Sequence, residues 1–338
     1  CLGFYDWCLA EDHLTGETYL FRQPLPGQAG DDERARARME PILDRIASVG
    51  DGGGGPGPAP PGPPAAVRSN FTKEGYMAAV RRVKGYLVAG DIYQANISQR
   101  FESEFSGDPW GLYLALRRAN PAPFAAYLGS PEATVLSASP ELFLSLQGDR
   151  VETKPIKGTR PRGSSPESDR ALAGELCRSP KDRAENVMIV DLLRSDLGKV
   201  CRIGSVETPH LFALEGHPTV WHLASTVTGV LPPSLGAVDL LRACFPGGSV
   251  TGAPKVRAME IIEELEPVRR GVYCGAIGYM AFNGDMSTSI AIRTMVLSGG
   301  RLTFHVGGGI VADSDPEEEH QETLDKALGL MRALGRRG

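Results

Sequence analysis

Hydrophobic residues recur at helical spacing in some stretches of this chain and alternate with polar residues in others. In the segment 72–89, Tyr76, Val80, Val83 and Leu87 lie three or four residues apart, which predicts a helix with one apolar face. The same reasoning predicts further helices at 31–46, 181–193, 239–243, 255–264 and 316–330.

Strand patterns concentrate in the second half of the chain. Asn283-Gly284 and the Ser-Gly-Gly stretch at 298–300 are typical hairpin turns, and they separate three strand-like segments. The strands cluster without regular βαβ alternation, so the sequence favours an α+β fold over a doubly wound sheet. Strands are predicted at 4–21, 91–101, 275–281, 286–297 and 301–311.

One stretch differs in composition from the rest of the chain. Residues 51–64 read DGGGGPGPAPPGPP, which cannot bury enough apolar surface to offset the entropy lost on ordering. We therefore predict a disordered or loosely ordered linker at 51–66. It would separate an N-terminal subregion, 1–50, from a catalytic domain, 67–338. Because the chain starts at a cysteine, we expect the N-terminal subregion to be part of a truncated segment.

Composition and charge exclude several classes of protein. The 338 residues are 41% hydrophobic and 23% charged, as in ordinary globular proteins. The net charge of -5 argues against a surface for nucleic acid or membrane. The six cysteines are scattered without a C-x-x-C pair, which favours reduced thiols and a cytoplasmic location over a disulfide scaffold.

Two predicted helices each carry an acidic pair three residues apart. Asp182 and Glu185 form the first pair, and Glu319 and Glu322 form the second. Residues at this spacing share one helix face, and two such faces in a cleft would suit Mg²⁺, which prefers oxygen ligands. The spacing alone is also typical of solvated acidic faces.

Two cations lie in segments that suggest an anionic ligand. The stretch 152–160 reads ETKPIKGTR, and it predicts a strand running into a loop that presents Lys157 between a proline and a glycine. Arg293 lies in the predicted strand 286–297, and alternation places it on the face opposite the two isoleucines beside it.

Two glycine-rich stretches do not predict nucleotide binding. Gly247 and Gly252 have the spacing of a P-loop, but Ala253 and Pro254 stand where lysine and Ser/Thr are required. The three glycines at 307–309 lack the spacing and setting of a dinucleotide-binding fingerprint.

Several long motifs occur together and in a fixed order. They are SPE at 139–141, KDRAENVMIVDLLRSD at 181–196, PGGSVTGAPK at 246–255 and GGGIVADSDPEEE at 307–319. With the Lys157 stretch, these motifs resemble the chorismate-utilising enzymes of the anthranilate synthase component I type, over about 91–330 of the chain. The resemblance implies a large α/β sandwich of two mainly antiparallel sheets flanked by helices.

The resemblance also implies a metal site on the two acidic helices. Glu185 and Glu322 match the glutamates that bind Mg²⁺ in the family. Asp182 and Glu319 match the outer acidic positions. Mg²⁺ is therefore the expected cofactor.

The resemblance further implies the catalytic and substrate-binding residues. Glu141 matches a general acid that protonates a departing hydroxyl, a task for which we expect burial to raise its pKa. Lys157 matches a covalent nucleophile, although it could also act only as a positive charge. Arg293 matches a clamp for a substrate carboxylate, and Tyr273 matches its partner. The other positions matched to substrate contacts are Thr159, His222, Gly307, Gly308 and Lys326.

Two positions separate the branches of this family. Branches that add water to chorismate use a lysine where Gln94 stands here, and glutamine is a poor general base. The resemblance therefore implies ammonia as the nucleophile. Lys157 replaces the alanine usual in anthranilate-forming enzymes, which favours amination to 4-amino-4-deoxychorismate, on the route to 4-aminobenzoate and folate. Anthranilate formation for tryptophan biosynthesis and a non-catalytic chorismate-binding protein are the alternatives.

The implied partners follow from the choice of ammonia. The chain has no Cys-His-Glu pattern of an amidotransferase, so we expect glutamine to supply ammonia through a separate amidotransferase subunit, component II. The segment 120–127, NPAPFAAY, resembles the lining of the family's tryptophan pocket, which makes bound tryptophan a candidate ligand.

Overall fold

A computed structural model describes residues 2–23, 32–48, 66–217 and 220–335. Its contacts divide the chain into two compact units, Cys1–Gly57 and Pro58–Gly338. The predicted linker at 51–66 lies outside the described residues except for its last residue, so it stays a prediction.

The N-terminal unit contains a hairpin and one helix. Strands β1 (Trp7–Asp12) and β2 (Glu17–Arg22) pair antiparallel, and helix α1 spans Asp32–Ser48. The hairpin turns at Gly16, whose φ is +73° and whose N–H donates to the Asp12 carbonyl (2.7 Å). The strand pattern predicted at 4–21 is therefore a pair of strands.

The larger unit contains seven helices and fourteen strands among its described residues. The helices are α2 (Lys73–Ala89), α3 (Pro109–Ala119), α4 (Pro166–Arg178), α5 (Pro180–Gly198), α6 (Ala237–Cys244), α7 (Lys255–Leu265) and α8 (Pro316–Ala333), with a 3-10 helix at Gly248–Val250. The strands are β3 (Arg68–Ser69), β4 (Gln94–Glu104), β5 (Phe124–Gly129), β6 (Thr134–Ser139), β7 (Leu142–Gln147), β8 (Arg150–Lys154), β9 (Ile156–Pro161), β10 (Glu207–Gly216), β11 (Val220–Val230), β12 (Gly252–Ala253), β13 (Ala276–Met280), β14 (Met286–Ile290), β15 (Thr294–Ser298) and β16 (Arg301–Ile310).

These strands form two seven-stranded antiparallel sheets. Sheet I has the order β12-β4-β16-β15-β6-β5, with β3 also paired to β4. Sheet II has the order β10-β11-β8-β7-β14-β13, with β9 also paired to β11. Helices α3 and α8 pack on sheet I, and α5 packs on sheet II. The expectation of two antiparallel sheets flanked by helices is confirmed.

Helix α2 shows how the hydrophobic pattern produces a packed element. Tyr76, Val80 and Val83 are fully buried against α7 and β4, as their spacing predicts. The helix begins after Thr72, whose side chain accepts a hydrogen bond from the Gly75 N–H, and it ends at Gly90, whose φ is +81°. Across the part of the chain that the structure describes, no helix is both long enough and apolar enough to span a membrane.

The chain passes between the two sheets at adjacent points. Strand β6 of sheet I leads through Pro140 and Glu141 into β7 of sheet II, and β14 of sheet II leads through 291–293 into β15 of sheet I. These two connections, called crossings below, are hydrogen-bonded to each other. The Ile290 N–H donates to the Glu141 carbonyl (3.1 Å), and the Ser139 hydroxyl donates to the Ile290 carbonyl (2.6 Å). The candidate acid and the candidate carboxylate clamp therefore lie on neighbouring crossings.

Two of the sequence expectations are wrong in this region. The predicted strand 286–297 is two strands in different sheets, because Arg293 has a φ of +49° and turns the chain between them. Strand alternation therefore does not decide which way Arg293 faces. Lys157 lies within strand β9 and not in a loop. Strand pairing is interrupted only at Pro155, which has no N–H to donate, and β9 begins at the next residue.

Candidate active site

Strand β9 holds Lys157 between strand β11 and helix α5. Gly158, the next residue, has a φ of +82°, and a Cβ atom there would lie 2.8 Å from Leu176 Cδ1 and 3.0 Å from Asp182 Cγ. Only glycine combines this backbone conformation with such a close approach. Gly158 thus allows β9 to lie directly against the α4–α5 region beside Lys157.

The charge of Lys157 acts on three carboxyl groups at once. It opposes burial, which raises the pKa of Glu141 and of Glu185, and it adds to the larger effect of Lys326, which lowers the pKa of Glu322. These carboxyl groups come from a sheet crossing, from α5 and from α8. The structure therefore brings together the four residues predicted to carry catalysis and metal binding.

Glu141 is a buried carboxyl with a raised pKa. Its side chain is 6% exposed, and burial raises its pKa to about 7, against a hydrogen bond with Ser249 and the charge of Lys157. A carboxyl with this pKa is substantially protonated at neutral pH, as a general acid requires. Sequence reasoning missed Ser249, although it singled out the glycine-rich motif that contains it.

Arg293 has an available guanidinium group. No hydrogen bond or ion pair joins its side chain to another described residue, and burial lowers its pKa. Its charge acts on His222, which lies on β11. A half-buried arginine without a protein partner can bind a planar carboxylate with two parallel hydrogen bonds.

His222 and Thr159 face each other across β9 and β11. Their Nδ1 and Oγ1 atoms are 3.0 Å apart, and burial lowers the pKa of His222 to about 4, helped by the charge of Arg293. The imidazole is therefore neutral at pH 7. Thr159 and His222 thus contact each other, and the charge of Arg293 reaches His222, while their contacts to substrate stay a prediction.

On helix α5, the two acidic residues have different surroundings. Asp182 accepts a hydrogen bond from Arg160 Nη2 (3.3 Å). Burial raises the pKa of Glu185, with a further increase from Glu322 and Asp182, while Lys157 and Lys181 act against it.

The residue after Glu185 anchors this part of α5. Asn186 accepts a hydrogen bond from the Ser225 hydroxyl (2.5 Å) and donates to the Leu223 carbonyl (3.4 Å). Both partners lie on β11, so these hydrogen bonds hold Asn186, and with it the neighbouring Glu185, against sheet II. The sequence carried no signal for this role.

On helix α8, the acidic pair lies against strand β16. Glu319 is 3% exposed and accepts a hydrogen bond from the Ser314 hydroxyl (2.6 Å) at Oε1. Burial raises its pKa. A Cβ atom on Gly308 would lie 2.9 Å from Glu319 Oε2, so a larger residue there would have to displace this carboxylate.

Glu322 differs from Glu319 because a lysine holds it. Lys326 Nζ lies 2.5 Å from Glu322 Oε1 and donates to the Gly307 carbonyl (3.0 Å). Burial acts to raise the pKa of Glu322, but Lys326 and the more distant Lys181 and Lys157 together hold it below its usual value. Lys326 thus connects α8 to the glycine stretch of β16.

Several observations fit a divalent cation between α5 and α8. Glu185 and Glu322 interact as like charges, which a cation would relieve. Glu319 Oε2 is buried without a hydrogen-bond partner. Mg²⁺ is typically held by one or two carboxylates together with waters and substrate oxygens. In the ranges the structure describes, no group of three or more His, Cys, Asp or Glu side chains is placed to share a metal ion.

Tyr273 lies in a loop bonded to the Arg293 crossing. The Cys274 N–H donates to the Ala291 carbonyl (2.9 Å), but the ring of Tyr273 packs between His305 and Arg270. Its side chain contacts these residues and Cys274 rather than Arg293. Sequence reasoning missed Arg270, and only its spacing four residues after Glu266 pointed to a role.

Gln94 lies behind the glycine stretch of β16. Its side chain is fully buried, and neither amide atom has a hydrogen-bond partner. A Cβ atom on Gly309 would lie 2.6 Å from Gln94 Nε2. A buried amide without a hydrogen-bond partner costs free energy. A polar ligand that hydrogen-bonded to the Gln94 amide would remove this cost.

The segment 120–127 lies beside an aromatic cluster. The rings of Trp110, Tyr113 and Tyr127 are 5.2–5.5 Å apart, and Asn120 Nδ2 is buried without a partner. Bound tryptophan near this cluster stays a prediction.

Comparison with known proteins assigns the chain to one family. The family model described as chorismate binding enzyme matches residues 1–332. The chain is 47% identical to aminodeoxychorismate synthase component 1 of Klebsiella aerogenes, over 98% of the chain and 70% of that protein. It is 53% identical to the protein of the same name from Escherichia coli (strain K12), over 79% of the chain and 59% of that protein.

Among solved structures, anthranilate synthase component I from Streptococcus pneumoniae TIGR4 superimposes with a TM-score of 0.86 at 34% identity. The match covers 96% of this chain and 72% of that one. The chain therefore spans between about three fifths and three quarters of the length of these proteins.

Proposed function

This chain belongs to the family of chorismate binding enzymes, and we propose that it aminates chorismate with ammonia, in the presence of Mg²⁺, to give 4-amino-4-deoxychorismate. The product is a precursor of 4-aminobenzoate and folate. Two similar proteins carry the name aminodeoxychorismate synthase component 1, which supports this reaction. The observation that carries the proposal is the placement of Lys157, whose charge acts on Glu141, Glu185 and Glu322 together.

Substrate binding uses the two carboxylates of chorismate. Arg293, with Tyr273 nearby, binds one carboxylate through its free guanidinium group. Glu185 and Glu322 would hold Mg²⁺, which would offset their charge and supply a Lewis acid for the second carboxylate. Lys326, beside Gly307, adds positive charge at the same end of the site.

The chemistry combines an acid and a nucleophile. Lys157 first gives its ammonium proton to solvent. Its amine then attacks C2 and the two ring double bonds shift, while Glu141 donates its proton to the C4 hydroxyl, which leaves as water. Ammonia then attacks C4, the double bonds shift back, and Lys157 leaves C2 as a neutral amine. The new C4 ammonium group returns one proton to Glu141. The net change converts chorismate and ammonia into 4-amino-4-deoxychorismate and water.

Ammonia would come from a separate glutamine amidotransferase. The words component 1 in the names of the relatives support a second component. We also propose a cytoplasmic location, because the cysteines among the described residues are free thiols.

Product analysis tests the proposed reaction. The purified chain is incubated with chorismate, Mg²⁺ and ammonium, and the products are identified by mass spectrometry. We expect 4-amino-4-deoxychorismate with ammonium and no turnover with glutamine alone. Anthranilate with pyruvate would instead support the second candidate, an anthranilate synthase, which is the name carried by the similar Streptococcus pneumoniae structure. Isochorismate or unchanged chorismate would contradict the proposal.

A further inference from the structure

A buried arginine connects several segments behind the substrate-binding residues. Arg270 donates to both carboxylate oxygens of Glu266 (2.6 and 2.9 Å), to the Asn96 carbonyl on β4 (2.6 Å) and to the Val250 carbonyl in the 3-10 helix (2.8 Å). The side chains of Arg270 and Glu266 are 13% and 4% exposed. Arg270 contacts Tyr273 but not Glu141, Lys157 or Arg293, so the mechanism does not use it directly.

The same guanidinium group supports Tyr273. The Arg270 Cζ atom lies 5.6 Å from the centroid of the Tyr273 ring, and the ring of His305 stacks on Tyr273 at 5.0 Å with an interplanar angle of 15°. Tyr273 is therefore packed between a cation and a second ring. Such contacts fix the orientation of an aromatic side chain.

The backbone after Tyr273 is strained. Cys274 has a φ of +65°, which is rare for a residue with a side chain. Conformations of this kind persist only where the surroundings hold them. Arg270 Nη1 lies 3.5 Å from Cys274 Sγ, and the Cys274 N–H is bonded to the Ala291 carbonyl on the Arg293 crossing. Arg270 thus contacts both the ring of Tyr273 and the strained residue that follows it.

We propose that Arg270, held by Glu266, is a positioning residue that orients Tyr273 for binding the substrate carboxylate. This inference rests on the proposed function, in which Arg293 and Tyr273 bind that carboxylate. Lysine cannot replace arginine in this role. The Arg270 guanidinium group donates to four oxygen atoms in three directions, whereas an ammonium group is a point charge with three donors.

Arg270→Lys separates positioning from stability. We expect it to weaken chorismate binding by about tenfold, the size expected when a hydrogen bond to a charged group is lost. Binding is measured by calorimetry with Mg²⁺ and without ammonium in the Lys157→Arg background, which cannot form a bond to C2. In the amination assay, KM should rise by a similar factor while kcat changes little, because uniform binding is lost. A purely structural role would lower the melting temperature and the active fraction but leave the dissociation constant and KM unchanged.

Arg257→Lys is the matched control. Arg257 also pairs with two carboxylates, of Asp91 and Glu260, and its Cζ lies 5.3 Å from the Tyr86 ring centroid, but these partners have no assigned role in the site. We expect binding by this variant to stay within about twofold of the unchanged protein, since exposed ion pairs contribute little.

A double variant tests whether Arg270 acts through Tyr273. Tyr273→Phe should weaken chorismate binding, and adding Arg270→Lys to it should then weaken binding no further. An unchanged dissociation constant in Arg270→Lys, or an equal further loss in the Tyr273→Phe background, would overturn the inference. The product of the unchanged protein decides the proposed function separately, because the binding experiment does not depend on which amine is formed.

Discussion

Helices α5 and α8 carry the same acidic spacing but present their carboxylates in opposite ways. On α5 the first member, Asp182, pairs with Arg160 while the second, Glu185, has a pKa raised by burial. On α8 the first member, Glu319, has a pKa raised by burial, while Lys326 holds the second, Glu322. Both helices share the spacing in sequence, and burial together with the surrounding cations makes its members unequal.

This difference shows what spacing can and cannot predict. A separation of three residues places two side chains on one helix face. The protonation of each carboxyl group depends on burial and on the cations that other elements bring near it. Lys157 on strand β9 acts on both Glu185 and Glu322, although Lys326 on the same helix has the larger effect on Glu322.

The largest expected loss of turnover comes from removing the carboxylate of Glu185 or of Glu322, the inner member of each acidic pair. Glu185→Gln or Glu322→Gln should lower turnover by about 10³-fold, since several kcal/mol of metal-derived stabilisation would be lost. Circular dichroism should show that each variant remains folded. The exposed neighbour Glu318 provides the control, because Glu318→Gln should keep its activity. Full activity of either inner variant in metal-chelated buffer would contradict the metal site.

Glu141 provides a further comparison, because its carboxyl group comes from a crossing between the two sheets and not from a helix. Glu141→Gln should lower turnover by about 10²-fold to 10⁴-fold, the range for general acids. Because burial raises the pKa of Glu141 to about 7, the acid form predominates below that pH and is lost above it. Activity of the unchanged protein should therefore fall as the pH rises through about 7. A rate that is flat from pH 6 to pH 9 would argue against this acid.

Glu319→Gln sharpens the contrast between the inner and outer positions of α8. Glu319 accepts from Ser314 at one oxygen and has no partner at the other. We expect affinity for Mg²⁺, measured from the metal dependence of turnover, to weaken by about 10-fold to 100-fold, as for residues that orient metal ligands. Unchanged affinity would remove Glu319 from the metal site.

Asp182→Asn should have the smallest effect of these changes. Its partner Arg160 is partly exposed and also pairs with Glu175, so losing the ion pair should cost about 0–1 kcal/mol. We expect turnover within about threefold of the unchanged protein. A loss as large as that of Glu185→Gln would show that Asp182 is itself a ligand, and the contrast within α5 would then fail.

Much of this fold can be predicted from the local pattern of apolar and capping residues, whereas parts of the site cannot. The helix at 72–89 is predictable because its apolar face and its capping residues, Thr72 and Gly90, agree. The break at Arg293 is not predictable, because its neighbours read as one continuous strand and the left-handed backbone arises from the crossing between sheets. The pKa of Glu141 likewise depends on burial and on Ser249, which lies more than a hundred residues away.

The most direct test of the account is the covalent role of Lys157. The unchanged protein is mixed with chorismate and Mg²⁺ without ammonium, denatured, and examined by intact-mass spectrometry. The account predicts an adduct of chorismate less one water, absent in Lys157→Arg, which keeps the charge but cannot act as the nucleophile. The same variant should lose amination severely. Unimpaired amination by Lys157→Arg, with no adduct on the unchanged protein, would contradict the account.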